Sequence, residues 1–293
     1  MRTTGAWPIE YQGLGDPTHP AIVLIMGLGM QLTGWPDAFC QALVDGGYRV
    51  VRFDNRDSGL SARAPHGKRP RLLLAMAASL LRLPVRTPYS LQDMAADAVA
   101  VMDALHIERA HIVGASMGGM IAQVLAAGFP QRVLSLTSMM SSSGNLRLPL
   151  PSRSARKAMF SRPSNPADVE SVVSHLVRVF GVIGSPAYRE PEPVLRERIR
   201  RGVQRAYEPA GTTRQLLAVI ASGDRRKLLH RITAPTLVIH GRADPLVPLE
   251  AGQDTAANVP GARLLVIEGM GHDLASGLLP QLSSAILAHC NRA

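Results

Sequence analysis

The residue pattern best suited to nucleophilic chemistry is a serine between two glycines, in the segment Gly114-Ala115-Ser116-Met117-Gly118. This G-x-S-x-G pattern lies between a strand-like apolar run at 111–113 and a helix-like segment at 117–129. A serine on a sharp strand-to-helix turn projects above the sheet edge, and glycines leave room for the turn because they carry no side chain. The helix N-terminus adds a partial positive charge beside the serine. The pattern therefore predicts that Ser116 is a nucleophile.

A serine hydroxyl needs a neighbouring base to take its proton, and histidine is a common base for this purpose. Among nine histidines, His272 follows a strand-like run and a glycine-rich turn, Glu268-Gly269-Met270-Gly271. His240, at the end of another strand-like run, is the main competitor. The remaining seven lack a post-strand loop setting, so His272 is the predicted base.

The base in turn needs a carboxylate that fixes its tautomer and stabilises the imidazolium. Asp244 lies just after the strand-like run at 236–239, whereas the segment 141–145, which follows an earlier run, contains no carboxylate. Asp224 and Asp273 are weaker alternatives. Asp244 is therefore predicted to orient the base.

An alternation of strands and helices must position these residues. Uninterrupted apolar runs suit strands that are buried on both faces of a parallel sheet, and they occur at 21–26, 48–53, 111–113, 133–140, 236–239 and 263–267. Helix-like segments separate them, including one that Ser90 and Asp93 open with the pattern of a capping box. The alternation predicts a doubly wound α/β sheet. It breaks at 63–88 and at 145–232, and the second break is predicted to be an inserted, mainly helical cap.

On these residues the chain resembles the α/β-hydrolase family over nearly all of 21–289. The chain order of the serine, the aspartate and the histidine is that of the family and not that of chymotrypsin or subtilisin. Gly27-Leu28-Gly29 lies where the family places an oxyanion loop, and 54–61 resembles its D-x-R-G-x-G-x-S turn. The resemblance implies the α/β-hydrolase fold: a mostly parallel sheet with helices on both faces and an inserted cap. The core would comprise 1–144 and 233–293, and the cap 145–232.

Within the family, the segment 24–36 is similar to small bacterial serine esterases of the aclacinomycin methylesterase type. The similarity implies hydrolysis of a carboxylic ester through an acyl-enzyme on Ser116. The oxyanion donors implied by position are the backbone N–H groups of Leu28 and Met117. Two departures stand out: Met26 precedes Gly27 where many relatives carry histidine, and Asp57 replaces a common glycine.

Two smaller expectations concern neighbours of these motifs. Asp54 and Arg56 are expected to form a structural pair within their turn. Trp35 could line the acyl pocket or pack on the first helix, and packing is the favoured interpretation.

No cofactor or metal is expected. The first glycine loop misses the dinucleotide pattern, no P-loop pattern is present, and no Cys or His pair has zinc spacing. A serine nucleophile argues against haloalkane dehalogenases and epoxide hydrolases, which use aspartate. A C–C bond hydrolase, a cofactor-free haloperoxidase and an acyltransferase remain open on the same triad. A non-catalytic scaffold that binds an anionic partner or a membrane through a basic cap is the alternative from a different class.

The positive charge of the chain is concentrated in the predicted cap. The 293 residues carry 32 Lys and Arg against 22 Asp and Glu, a net charge of +10, and 145–232 holds 17 basic against 7 acidic residues. One interpretation is a solvated helix face, and the other is a cap that steers anionic substrates toward the cleft. Nucleic-acid binding is not expected, because only 4% of the residues are aromatic and stacking partners are scarce.

The sequence also bears on location. The apolar stretch 72–83 is flanked by Arg71, Arg82 and Arg86, which would suit a membrane contact, but packing against the cap is the favoured interpretation. This stretch is shorter than the ~20 residues of a bilayer span, and no signal peptide is visible. Cys40 and Cys290 give no disulfide framework. We predict a cytoplasmic protein that acts on a small-molecule ester without membrane association, and the oligomeric state is left open.

Overall fold

A computed structural model describes residues 1–4, 7–65, 72–81 and 83–293. Arg71 and Arg82, named in the sequence interpretation, lie outside the described residues, as does His66, one of the seven histidines set aside there. Within the described ranges no helix is long and apolar enough to cross a membrane.

One sheet forms the centre of the molecule, and its seven strands in the described residues follow the order β1-β3-β2-β4-β5-β6-β7. The first strand runs antiparallel to β3, whereas the other neighbouring pairs are parallel. The loops after the parallel strands therefore meet at one edge of the sheet, where ligands bind in open α/β sheets. The strands are β1 (Tyr11–Leu14), β2 (Ala21–Ile25), β3 (Arg49–Phe53), β4 (Ala110–Ala115), β5 (Val133–Met139), β6 (Thr236–Gly241) and β7 (Arg263–Ile267).

Helices cover both faces of the sheet, as the apolar runs of its strands require. Apolar side chains of α3 and α4 lie in the core on one face, and those of α1 and α11 lie in the core on the other. The expected doubly wound α/β architecture is thus confirmed. The helices are α1 (Asp37–Asp45), α2 (Leu72–Leu80), α3 (Leu91–Ala104), α4 (Met117–Gly128), α5 (Arg153–Phe160), α6 (Val169–Ile183), α7 (Glu192–Arg205), α8 (Pro209–Ser222), α9 (Arg226–Leu229), α10 (Leu249–Asn258) and α11 (Leu279–Cys290).

Local chemistry accounts for the start of α3. The Ser90 hydroxyl accepts a hydrogen bond from the Asp93 N–H at 3.2 Å, and the Asp93 carboxylate accepts one from the Ser90 N–H at 2.7 Å. This reciprocal pair satisfies backbone donors that a helix N-terminus otherwise leaves free. The predicted capping box is confirmed.

The helices α5 to α9 lie between β5 and β6 along the chain, where the cap was expected. The first three pack in series, since α6 contacts both α5 and α7. The last two contact other parts of the molecule: α8 packs against α2 and α3, and α9 packs against α4 and α10. The expected contact between 72–83 and this insert is present, because α2 lies on α8. The cap boundaries at 145 and 232 stay a prediction.

The sequence interpretation missed some elements and misassigned one ion pair. It did not identify β1 or α10, and it gave no range for α1. The missed β1 is a four-residue edge strand with one buried residue, Tyr11. Trp35 packs as expected, fully buried and stacked on Phe39 of α1 at 5.4 Å between ring centroids. The expected pairing of Asp54 with Arg56 is wrong. Asp54 instead pairs with Arg205, and Arg56 pairs with Asp97, both of which are more distant in sequence.

Candidate active site

Ser116 lies on a strained turn between β4 and α4. Its backbone has φ 56° and ψ −120°, a conformation that costs a non-glycine residue free energy and that clusters at functional sites. The two flanking positions must be glycines, because a Cβ at either one would clash with the backbone. A Cβ at Gly118 would lie 2.0 Å from the Ile25 carbonyl oxygen, and a Cβ at Gly114 would lie 2.2 Å from the carbonyl oxygen of Gly118. The sequence pattern thus permits a turn that presents the serine at the carboxyl edge of the sheet.

His272 reaches Ser116 from the loop after β7. Its Nε2 lies 2.9 Å from Ser116 Oγ, and its Nδ1 lies 2.7 Å from Asp244 Oδ2. In the tautomer with the proton on Nδ1, the ring donates to the carboxylate and accepts from the serine hydroxyl. This is the arrangement in which a histidine can take a proton from serine.

The Asp244 side chain is held by backbone N–H groups of the same loop, which follows β6. Its Oδ1 accepts hydrogen bonds from the N–H groups of Leu246 at 2.9 Å and Val247 at 2.8 Å. The side chain is fully buried. Because Oδ1 is occupied by two donors, Oδ2 is the oxygen left to face His272.

The alternative residues for base and acid lie in other environments. His240 is buried, its Nε2 donates to the Val247 carbonyl at 2.8 Å, and burial lowers its pKa. Asp224 pairs with Arg226 at 2.6 Å at the surface. Asp273 accepts hydrogen bonds from Ser185, and burial raises the pKa of its carboxyl. Ser116 is therefore hydrogen-bonded to His272, and His272 is hydrogen-bonded to Asp244, rather than to any of these alternatives.

The expected oxyanion donors border the serine. Leu28 follows Gly27, and a Cβ at Gly27 would lie 3.1 Å from the Cβ of Ser116. Met117 is the first residue of α4 and directly follows the serine. In the described part of the chain, neither the Leu28 N–H nor the Met117 N–H donates to a protein acceptor. Both N–H groups are therefore free to bind a substrate oxygen.

Sequence reasoning missed contacts that hold these loops from a distance. The Ser141 hydroxyl donates to the Ser116 carbonyl at 2.8 Å, and the Gln215 side chain accepts from the Gly29 N–H at 2.8 Å. The His272 N–H donates to the Ile183 carbonyl at 2.8 Å. The last two contacts come from the insert, and no local sequence pattern connects residues so far apart. Across the described residues, no group of three or more His, Cys, Asp or Glu side chains is placed to hold a metal ion.

Comparisons with known proteins agree on the class of protein to which this chain is similar. A family model described as the alpha/beta hydrolase fold matches residues 20–275. Rhodomycin D methylesterase from Streptomyces peucetius is 30% identical over 96% of this chain and 94% of its own length. A 2-hydroxy-6-oxononadienedioate/2-hydroxy-6-oxononatrienedioate hydrolase from Pseudomonas sp. is 27% identical over 92% of this chain and 86% of its own length. A solved meta-cleavage product hydrolase from Pseudomonas fluorescens IP01 has a TM-score of 0.77 and 20% identity, and the match covers 100% of this chain and 97% of that chain.

The chain therefore belongs to the α/β-hydrolase family. Together with the fold, the methylesterase relatives indicate ester hydrolysis by a serine hydrolase, which is the activity that the sequence predicted.

Proposed function

We propose that the chain hydrolyses carboxylic esters through an acyl-enzyme on Ser116. The observation that carries the proposal is the continuous hydrogen-bonded line from Asp244 through His272 to Ser116, with steps of 2.7 and 2.9 Å. The three side chains come from three separate loops at one sheet edge. A buried carboxylate, an imidazole and a serine in this relation form a general-base-activated nucleophile.

The chemistry follows from the positions of these atoms. Ser116 Oγ attacks the ester carbonyl carbon while His272 Nε2 takes the hydroxyl proton, and Asp244 stabilises the imidazolium. The Leu28 and Met117 N–H groups bind the oxyanion of the tetrahedral intermediate. His272 then gives its proton to the departing alcohol as the ester C–O bond breaks. Water, deprotonated by His272, attacks the acyl-enzyme, and proton return to Ser116 releases the carboxylic acid.

Replacement of the nucleophile tests the proposal. We expect Ser116→Ala to lower kcat for p-nitrophenyl acetate by about 10⁴- to 10⁶-fold and to abolish labelling by a fluorophosphonate probe. The matched control is Ser284→Ala, at an exposed serine of α11, which should keep both the esterase activity and the labelling by the probe. Near-wild-type turnover by folded Ser116→Ala would overturn the assignment. An unreactive wild-type serine would favour the non-catalytic scaffold.

A C–C bond hydrolase is the second candidate. It is kept because one relative that matches 92% of this chain is named as a 2-hydroxy-6-oxononadienedioate/2-hydroxy-6-oxononatrienedioate hydrolase. A panel that pairs simple esters with 2-hydroxy-6-oxononadienedioate separates the two reactions. We expect the ester kcat/KM to exceed the other by at least tenfold, and the reverse order would favour the second candidate. A haloperoxidase or an acyltransferase would instead require bromination or acyl transfer to an alcohol to exceed hydrolysis.

We further propose that the substrate is an anionic ester. Seven arginines of the insert are already ion-paired, namely Arg196, Arg198, Arg200, Arg201, Arg205, Arg214 and Arg226. The segment 147–162 differs: its five basic residues form no ion pair in the described part of the chain, and it contains no acid. Its Ser152 N–H donates to the Pro245 carbonyl at 2.8 Å, beside Asp244. The uncompensated charges therefore flank a residue that is bonded to the loop carrying Asp244, where we expect them to attract anions.

Removing that charge tests the substrate class. We expect Arg153→Gln/Arg156→Gln/Lys157→Gln to lower kcat/KM for an anionic succinate ester about three- to tenfold at low salt, and to leave a neutral ester unchanged. The matched control removes three charges near the amino edge of the sheet, at Arg109, Arg263 and Arg292. Wild-type rates without a preference for the anionic ester and without salt dependence would refute steering.

We also propose a cytoplasmic location. Cys40 and Cys290 are both buried and unpaired, which suits a reducing compartment. Fractionation of the source cells tests this, since recovery of the protein outside the cytoplasm would contradict it.

A further inference from the structure

Gln215 on α8 joins the insert to two loops of the core. It is fully buried, its Oε1 accepts from the Gly29 N–H at 2.8 Å, and its Nε2 donates to the Arg56 carbonyl at 2.8 Å. Both ends of the amide are therefore used by backbone groups. One of these groups belongs to the loop that carries Leu28, the expected oxyanion donor.

This contact determines which N–H of the oxyanion loop stays available. The Met30 N–H donates to the Gly27 carbonyl at 3.2 Å, and the Gly29 N–H donates to Gln215. Of the three consecutive donors at 28–30, the Leu28 N–H alone has no protein acceptor in the described part of the chain. Gly29 has φ +67°, and a Cβ there would lie 2.6 Å from Thr212 Oγ1 of the same helix α8. The loop is therefore pressed against α8 as well as hydrogen-bonded to it.

We propose that Gln215 is a positioning residue for the oxyanion loop. By holding the peptide between Leu28 and Gly29, it fixes the direction of the adjacent peptide whose N–H would bind the oxyanion. Gln215 itself does not touch the substrate. The inference rests on the proposed esterase function, because a fixed donor stabilises a tetrahedral oxyanion only where one forms.

The helix does not depend on Gln215 for its attachment. Arg214, the preceding residue, forms two hydrogen bonds of 2.6 and 2.8 Å with Asp57 of the core. Because this ion pair already anchors α8, loss of the Gln215 amide should release the oxyanion loop more than it moves the helix. The role of Gln215 can therefore be separated from a general contribution to folding.

The test compares a transition-state analogue with a ground-state analogue. Ser116 Oγ adds to the carbonyl carbon of an alkyl trifluoromethyl ketone and forms a tetrahedral oxyanion. The methyl ketone with the same alkyl group binds without this addition. For Gln215→Met we expect about a ten- to hundredfold loss in kcat for p-nitrophenyl acetate and in affinity for the trifluoromethyl ketone. Affinity for the methyl ketone should stay within twofold.

Gln123→Met is the matched control. Gln123 is also fully buried, and its amide donates to Ser138 Oγ at 3.1 Å, away from the oxyanion loop. This variant should lose stability as Gln215→Met does, with kcat and both affinities within twofold of wild type. Unchanged trifluoromethyl ketone affinity in Gln215→Met would overturn the proposal, as would an equal loss for the two ketones.

Two further variants keep the test decisive if Gln215→Met does not fold. Gln215→Glu retains an acceptor at the right length for the Gly29 N–H, whereas Gln215→Asn is one methylene too short. Trifluoromethyl ketone affinity should fall in the order Gln, Glu, Asn, and an Asn variant equal to Glu or better would overturn the proposal. If Ser116→Ala loses esterase activity while Gln215→Met keeps the wild-type kcat and trifluoromethyl ketone affinity, the positioning role alone is rejected. An active Ser116→Ala enzyme rejects the esterase mechanism itself.

Discussion

The ion pair between Asp57 and Arg214 should be a main attachment of α8 to the core. The Asp57 side chain is fully buried and that of Arg214 is 15% exposed. Asp57 accepts two hydrogen bonds from Arg214, one from the Tyr89 hydroxyl at 2.6 Å and one from the Ala64 N–H at 2.9 Å. Burial opposes ionisation, but the hydrogen bonds from Arg214 and Tyr89 hold the pKa of Asp57 below its usual value. The carboxylate therefore stays charged in the folded protein.

The magnitude follows from what each variant leaves behind. Asp57→Asn keeps the size of the side chain but presents an amide N–H₂ to one of the donors, so a partly buried guanidinium loses its counter-charge. Breaking a buried pair in this way costs about 3–5 kcal/mol. Because Arg214 keeps some contact with water, we expect about 2–4 kcal/mol. Arg214→Met and the double variant complete a cycle, with an expected coupling of about 1.5–3 kcal/mol.

The backbone at Asp57 supplies an internal check. Its φ is +65°, which a non-glycine residue adopts at a cost of about 1–2 kcal/mol. Both Asp57→Gly and Asp57→Ala remove the carboxylate, but the change to glycine would also relieve the strain. The glycine variant should therefore be about 1 kcal/mol more stable than the alanine variant.

Urea unfolding at pH 7, followed by circular dichroism and with the m-value held as a check, measures these free energies. A coupling between Asp57 and Arg214 below about 0.5 kcal/mol would mean that the pair behaves as an exposed ion pair, and the reasoning would be refuted. Equal stability of the glycine and alanine variants would refute the strain at this position.

Three further outcomes follow from the structure. Burial lowers the pKa of His111 to about 4. The unfolded chain therefore takes up this proton first as the pH falls below about 6.5. This group alone should make unfolding easier by about 2 kcal/mol at pH 5 than at pH 7, and His111→Gln should remove that contribution in urea titrations. Asp244→Asn should lower kcat by about 10⁴-fold without changing the fold. The two backbone N–H groups would hold the amide oxygen and turn the N–H₂ toward His272, which imposes the wrong tautomer on the histidine. Normal turnover would contradict this. Gly118→Ala should cost about 3 kcal/mol or more, since its Cβ would meet a backbone oxygen at 2.0 Å, whereas Gly128→Ala on the same helix meets open space and should be neutral or stabilising in thermal unfolding.

Much of the fold and of the candidate site could be predicted from the sequence, because local physical constraints determine which residues occupy these positions. A strand buried on both faces is a continuous apolar run, and the turn at Ser116 leaves glycines at positions that a Cβ cannot occupy. These are local constraints, so they leave a local pattern. The edge strand β1 has no such constraint, since one of its four residues is buried, and it was missed.

Contacts across the chain leave no comparable pattern. Asp54 and Arg56 are two residues apart, and their proximity suggested a pair, yet each binds a partner 41 or 151 residues away. Gln215 lies 186 residues from Gly29. In both cases the partner is set by tertiary packing, which for Asp54 and Gly29 means how the insert folds onto the core.

The insert binds loops on both sides of the serine. On one side Gln215 holds the Gly29 N–H. On the other, the Ile183 carbonyl accepts from the His272 N–H at 2.8 Å, and the Ser185 hydroxyl accepts from the Gly271 N–H at 2.8 Å. A lid that opened as a rigid body would have to break these bonds together and expose their donors to water, at a net cost of about 0.5–1.5 kcal/mol for each bond. Substrate entry should therefore leave α8 and the end of α6 in place beside the proposed catalytic residues.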